Sequence, residues 1–109
     1  MVKRKIPKNT IKIVKNYTDR LSREENLPIK KIIIFGSYAK EAVQKWSDID
    51  ICIISPKFKN TQKTLEFLWT KRKREEVLEG LEPIGFSEKE FEKGSDLIKE
   101  IKRTGVIIK

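Results

Sequence analysis

Two short apolar runs constrain the fold of this chain more than any other feature of the sequence. The first is Lys31-Ile32-Ile33-Ile34-Phe35 and the second is Asp48-Ile49-Asp50-Ile51-Cys52-Ile53-Ile54. Both are rich in β-branched residues and lack the polar alternation of a half-exposed strand, which predicts strands covered on both faces. The first run ends at Gly36-Ser37 and the second at Ser55-Pro56, pairs that favour turns.

Helical periodicity precedes and follows these strands. A first amphipathic helix is predicted from Asn9 or Thr10, either of which could cap it, to about Asn26, because Pro28 cannot continue the hydrogen-bond ladder. Further helices are predicted over residues 38–44 and 61–79, after Ser87 and after Ser95. The long helix over 61–79 carries one apolar stripe of Leu65, Leu68 and Trp69 and a second, roughly opposite, of Phe67 and Leu78.

A third strand is predicted over residues 80–86. Pro83 interrupts it and has no N–H to donate, which suits an edge position. The segment Ser87-Glu88-Lys89-Glu90 that follows has the form of a capping box and predicts a helix start.

Composition limits the kinds of site that the chain can build. Its 109 residues have room for one domain, and the single cysteine, Cys52, together with the absence of histidine excludes an internal disulfide and Cys/His zinc sites. Any metal must therefore bind oxygen ligands. No apolar stretch approaches the ~20 residues that cross a bilayer, and the basic start does not resemble a secretory signal, so a cytoplasmic location is expected.

Asp48 and Asp50 open the second apolar run. Residues two apart on a strand project from the same face, with Cα atoms roughly 6.5 to 7 Å apart. Two such carboxylates repel each other unless a cation lies between them, and Mg²⁺ prefers oxygen ligands. The alternative is that Asp48 caps a turn and Asp50 lies at an exposed strand end.

The bend at Gly36-Ser37 adds a possible phosphate site. A glycine between a strand and a helix lets the backbone approach a phosphate, and helix N-terminal amides with the Ser37 hydroxyl favour an anion. Such a bend can also be a plain connector.

Together these pieces read Gly36-Ser37, ten residues, then Asp48-Ile49-Asp50. This spacing, with its apolar flanks, resembles the signature of the polymerase-beta-like nucleotidyltransferase superfamily and looks most like its minimal nucleotidyltransferase members. The resemblance implies an α/β (α+β) nucleotidyltransferase fold, in which helices pack mainly on one side of a mixed sheet of three to four strands. It also implies catalysis with two Mg²⁺ ions.

The resemblance assigns roles to particular residues. Asp48 and Asp50 would hold the metal ions, while Gly36, Ser37 and Lys40 would bind the nucleotide. The third family carboxylate, a metal ligand or base, has no clean match here; Glu82 is chosen ahead of Glu79. A glycine common in the family is replaced by Glu41, which would weaken nucleotide binding.

The function expected from this resemblance is transfer of a nucleoside monophosphate, AMP first, from NTP to an acceptor. Minimal members often accompany a small helical HEPN-type protein as the antitoxin of a toxin–antitoxin pair, and the stripe of Phe67 and Leu78 could bind such a partner. The alternative is a non-catalytic nucleotide- or partner-binding module of the same fold.

Nucleic-acid binding is possible but less favoured. The net charge of +9 and the run Lys71-Arg72-Lys73-Arg74 support it. On a continuous helix, however, Lys71 and Arg72 would pair with the glutamates four residues later, and no aromatic platform for bases accompanies the run.

Overall fold

The protein is described here from a computed structural model, which describes residues 6–38 and 48–109. The predicted helix over 38–44 lies outside these ranges except for its first residue, as do Lys40 and Glu41. The elements, in chain order, are α1 Lys8–Glu24, β1 Lys31–Phe35, β2 Ile49–Ile54, α2 Thr61–Thr70, α3 Arg74–Leu78, β3 Leu81–Phe86, α4 Glu88–Lys93, α5 Asp96–Thr104 and β4 Val106–Ile107. A single 3₁₀ turn, Gly36–Tyr38, follows β1.

The four strands form one mixed sheet in the order β3-β2-β1-β4. β1 is antiparallel to both β2 and β4, whereas β2 and β3 are parallel. This confirms the predicted mixed sheet. It also places β3 at an edge, as the position of Pro83 predicted.

Both faces of the sheet are covered. On one face, Ile32 and Ile34 join the core that contains Tyr17 of α1 and Leu68 of α2. On the other, Ile33 packs in a cluster with residues of α4 and α5. The two longest helices thus lie on one side, as predicted, and two short helices add a third layer.

The first helix begins before either predicted cap, by less than one helical turn. Pro7 occupies its N-cap position, and Thr10 is buried inside the helix. Pro is well tolerated where a helix starts because its missing N–H would have no intrahelical partner there. The amphipathic face is as predicted, since Val14, Tyr17 and Leu21 are all buried.

The predicted long helix over 61–79 is wrong, because it is divided into α2 and α3. Lys73 adopts an extended conformation, and its backbone N–H donates to the Glu76 carboxylate at 2.7 Å in a capping box. Arg20 holds the break from outside: it pairs with Glu76 at 2.6 Å and donates to the Lys71 carbonyl at 3.0 Å. A residue about fifty positions upstream therefore fixes where the helix ends.

The helix break changes the predicted surfaces. Leu65 and Trp69 are 40% and 39% exposed instead of buried beside Leu68, while Phe67 packs against the core and Leu78 is 73% exposed. Phe67 and Leu78 now lie on different helices and do not form one stripe.

The charge pairing predicted for the basic run also differs. Lys71 pairs with Glu25 at 3.2 Å instead of with a residue four positions later. Glu76, the other predicted partner, belongs to the Arg20 pair.

None of the helices in the described parts of the chain is long and apolar enough to cross a bilayer.

Candidate active site

The bend after β1 lies directly over Asp50. In the antiparallel pair, Phe35 is opposite Asp50, so that the next residue, Gly36, passes beside the Asp50 side chain. Gly36 has φ +72°, and a Cβ added there would lie 3.2 Å from Asp50 Cγ and collide with a carboxylate oxygen. Only glycine satisfies both the left-handed backbone and this close approach. The structure thus brings together the Gly36-Ser37 bend and the carboxylate predicted to face it.

Three carboxylates meet at this end of the sheet. Asp50 and Glu82 are directly opposite each other in the parallel register of β2 and β3. Asp48, immediately before β2, is close enough to both carboxyl groups to raise their pKa values.

The electrostatics of the cluster disfavour bare negative charge. Burial, and secondarily the nearby Asp48, raises the pKa of Asp50 to about 6. The pKa of Glu82 is also raised, first by burial and then by its hydrogen bond with Asp48, while the positive charge of Arg72 opposes the rise. Carboxyl groups in this arrangement bind either a proton or a cation.

Glu79, the alternative third carboxylate, points elsewhere in the fold. It caps the C-terminus of α3 and lines a cavity of about 640 Å³ between α1 and α3. None of the three clustered carboxylates lines that cavity. The geometry therefore favours Glu82 over Glu79.

The donor set suits Mg²⁺ better than a softer metal. The side chains that converge offer only carboxylate oxygens, the ligands that Mg²⁺ prefers, and burial, followed by the neighbouring carboxylates, raises the pKa of Asp50 and of Glu82. Within residues 6–38 and 48–109, no group of three Asp, Glu, Cys or His side chains is already arranged to hold a metal ion.

Trp69 and Arg72 contact the site although no sequence pattern indicated that they belong to it. The Arg72 guanidinium stacks 4.1 Å from the centroid of the Trp69 ring, close enough to Glu82 to affect its pKa. The sequence predicted Trp69 on an apolar helix stripe with Leu68, and Arg72 in a basic run. The only sequence signal was their spacing of three residues, which is common on helices.

Comparison with protein families agrees with the class of site that the carboxylates and the Gly36 bend indicate. Residues 11–108 match the model of the nucleotidyltransferase domain family. No curated protein matches the sequence significantly.

Two solved structures resemble the fold. One is a candidate nucleotidyltransferase from Sulfolobus solfataricus, with 18% identity, a TM-score of 0.65, and coverage of 91% of this chain and 78% of that one. The other is a chain of a toxin–antitoxin structure with AMP-PNP, with 19% identity, a TM-score of 0.54, and coverage of 85% and 70%. At these identities the likeness concerns the fold alone. The family match over nearly the whole length shows that the chain belongs to the nucleotidyltransferase domain family.

Proposed function

We propose that the protein is a metal-dependent nucleotidyltransferase that transfers a nucleoside monophosphate, AMP in the first instance, from ATP to an acceptor on another molecule. The observation that carries this proposal is the convergence of Asp48, Asp50 and Glu82 beside the Gly36 bend. Family membership supports the same class of reaction.

In this proposal Asp48, Asp50 and Glu82 hold Mg²⁺. When bound, the ion supplies positive charge to the triphosphate and to the charge that develops as the phosphoanhydride bond breaks. Gly36 and Ser37 approach the triphosphate with backbone and hydroxyl donors, which glycine permits because it has no side chain.

The reaction balances without any further co-reactant. An acceptor hydroxyl oxygen bonds to the α-phosphorus, the bond from that phosphorus to the β-phosphate bridging oxygen breaks, and pyrophosphate leaves. The acceptor proton passes to a carboxylate, and in this proposal the ionised form of Glu82, the third carboxylate that serves as metal ligand or base, accepts it. Lys40 would offset phosphate charge, and this assignment stays a prediction because Lys40 lies outside the described residues.

The acceptor in this proposal is a protein partner. One structural neighbour is a chain of a toxin–antitoxin structure with AMP-PNP, which supports a partner and a nucleotide as joint ligands. We propose a small helical partner of the HEPN type. Val77 and Leu78 on α3, 47% and 73% exposed, are a better candidate contact than Phe67, which packs against the core.

The reaction is tested with ATP labelled at the α-phosphate, Mg²⁺, and the protein encoded beside this chain's gene. Label should appear on the partner with the wild-type protein and should be lost with Asp48→Asn and with Asp50→Asn. The control is Asp19→Asn, which removes the same charge from an exposed position on α1 and should still transfer label. Label that persists in both site variants would refute the assignment.

The same assay separates the alternative functions. Within the described part of the chain no three Asp, Glu, Cys or His side chains are already grouped to hold a metal ion, which favours a non-catalytic module of the same fold as the second candidate. Partner binding without label transfer would select that module. Salt-sensitive retention of RNA alone would select a nucleic-acid-binding protein.

The partner surface is tested separately with Leu78→Asp. Loss of partner binding with unchanged binding of Mg²⁺ and AMP-PNP is expected. Retained partner binding would exclude the α3 surface.

A further inference from the structure

The backbone on both sides of Glu82 is held from outside the sheet. Trp69 donates its indole N–H to the Pro83 carbonyl at 2.9 Å, and Arg72 donates from Nη1 to the Leu81 carbonyl, also at 2.9 Å. These carbonyls belong to the residues immediately before and after Glu82. Trp69, near the end of α2, and Arg72, in the link between α2 and α3, therefore bracket the third carboxylate.

The two side chains also fix each other. The Arg72 guanidinium lies 4.1 Å from the centroid of the Trp69 ring, and Arg72 Nε donates to the Trp69 carbonyl at 3.1 Å. Stacking and two hydrogen bonds leave the planar guanidinium little freedom to rotate. The pair is rigid although Trp69 remains 39% exposed.

β3 needs such support because it is an edge strand. It has β2 on one side only, and Pro83 has no N–H with which to pair outward. An edge strand that lacks a second neighbour opens locally at low free energy. The Trp69 and Arg72 donors take the place of the missing neighbour at the segment that carries Glu82.

Precise placement of Glu82 matters only if it acts with the aspartates. Asp48 and Asp50 are attached to β2, which is paired on both sides, whereas Glu82 depends on the edge strand for its position. A metal site made of both strands therefore depends on how firmly β3 is held. Mutation of a residue that orients a metal ligand typically lowers metal affinity or activity by roughly 10- to 100-fold.

We infer that Trp69 and Arg72 are positioning residues, which hold Glu82 beside Asp48 and Asp50 by clamping the edge strand on either side of it. This inference rests on the proposed function, because it gives Glu82 a role in metal binding. The clamp acts on the backbone and does not itself touch the metal or the nucleotide.

The test compares Trp69→Phe, which keeps an aromatic ring but loses the indole donor, with Arg72→Lys, which keeps the charge but loses the planar fork. The matched control is Arg74→Lys at the exposed first residue of α3. Mn²⁺ serves as the probe, with its binding followed by electron paramagnetic resonance, and amide hydrogen exchange reports on β3.

Both site variants should bind Mn²⁺ about tenfold more weakly and exchange the β3 amides faster, while the control matches the wild type. In a Glu82→Gln background, Trp69→Phe and Arg72→Lys should weaken Mn²⁺ binding no further, because the carboxylate that Trp69 and Arg72 position is already replaced by an amide. An equal loss in both backgrounds would show a general structural effect and overturn the inference. Unchanged Mn²⁺ binding in the two single variants would overturn it as well.

Failure of the proposed function would appear differently. A wild-type protein that binds no Mn²⁺ at millimolar concentration would refute the metal site, and the clamp would then be judged on hydrogen exchange alone. Exchange of the β3 amides at the wild-type rate in both variants would refute the clamp.

Discussion

The raised pKa of Asp50 predicts that the carboxylate destabilises the metal-free fold at neutral pH. Its pKa rises from 3.8 to about 6, first through burial and then through repulsion from Asp48. A carboxyl group whose pKa is higher in the folded state binds its proton more tightly there than in the unfolded chain. The protonated Asp50 carboxyl therefore makes its full contribution to the stability of the folded state below pH 3.8. This contribution is lost as the pH rises through about 6.

The size of the effect follows from that difference in pKa. At about 1.4 kcal/mol per pH unit it amounts to roughly 3 kcal/mol. Asp50 is only half-buried, so solvent screening reduces this to about 1 to 2 kcal/mol. Replacing Asp50 with Asn keeps the shape of the side chain and removes the charge.

We expect Asp50→Asn to raise the free energy of unfolding by about 1 to 2 kcal/mol at pH 7.5 in the presence of EDTA. Near pH 4 the two proteins should be almost equally stable, because the wild-type carboxyl is then largely protonated in the folded state. Urea denaturation followed by tryptophan fluorescence at both pH values measures the difference. The surface variant Asp19→Asn should differ from the wild type by less than about 0.5 kcal/mol.

Added Mg²⁺ should reverse the order of stability. The wild type gains the free energy of metal binding, whereas Asp50→Asn has lost a ligand and gains less. A less stable Asp50→Asn protein at pH 7.5 in EDTA would refute the electrostatic reasoning, since it would mean that the ionised carboxylate stabilises the empty fold.

Three further predictions concern single side chains. Gly36→Ala should abolish label transfer and cost more stability than Gly94→Ala, which has a comparable φ but open space for a Cβ; equal thermal shifts would exclude the collision with the carboxylate. Glu76→Ala should destabilise the protein by about 3 kcal/mol in urea denaturation, because it removes the carboxylate that pairs directly with the 12%-exposed Arg20 side chain, and a loss below about 1 kcal/mol would contradict this. Burial raises the pKa of Cys52 to about 12, so that thiol reagents at pH 8 should label it only in denaturant.

Local patterns predicted much of the fold. The two apolar runs became the central strands because β-branched residues without alternation require cover on both faces. Pro83 marked the edge strand correctly, and the capping box at Ser87 and Glu90 forms as predicted. Each of these signals depends on residues adjacent in sequence.

The helix break could not be predicted because its cause is distant. Residues 61–79 have suitable helical propensity throughout, and the break depends on Arg20 of α1 reaching Lys71 and Glu76. No pattern within residues 61–79 indicates the contact of Arg20 with Lys71 and Glu76. The exposed positions of Leu65 and Trp69 follow from the same unforeseen packing.

The candidate site was predictable in part. The bend and the paired aspartates followed from their spacing, and the resemblance to a family supplied the need for a third carboxylate. The choice between Glu79 and Glu82 required the register of β2 and β3, which places Glu82 opposite Asp50. The Trp69 and Arg72 contacts required coordinates, because a helix-spaced aromatic and cation have no distinctive pattern.

The parallel pairing of β2 and β3 also determines when during folding the site can appear. Asp50 and Glu82 become neighbours only after α2 and α3 have crossed over the sheet and β3 has docked in register. Closing so long a loop is entropically costly, and contacts of this kind generally form slowly. A chain that has joined β1 to β2 but not yet added β3 therefore has only two of the three acids in place. Binding of a divalent cation by all three carboxylates would then require that β3 has already docked. A partly folded or nascent chain without docked β3 could not catalyse the reaction.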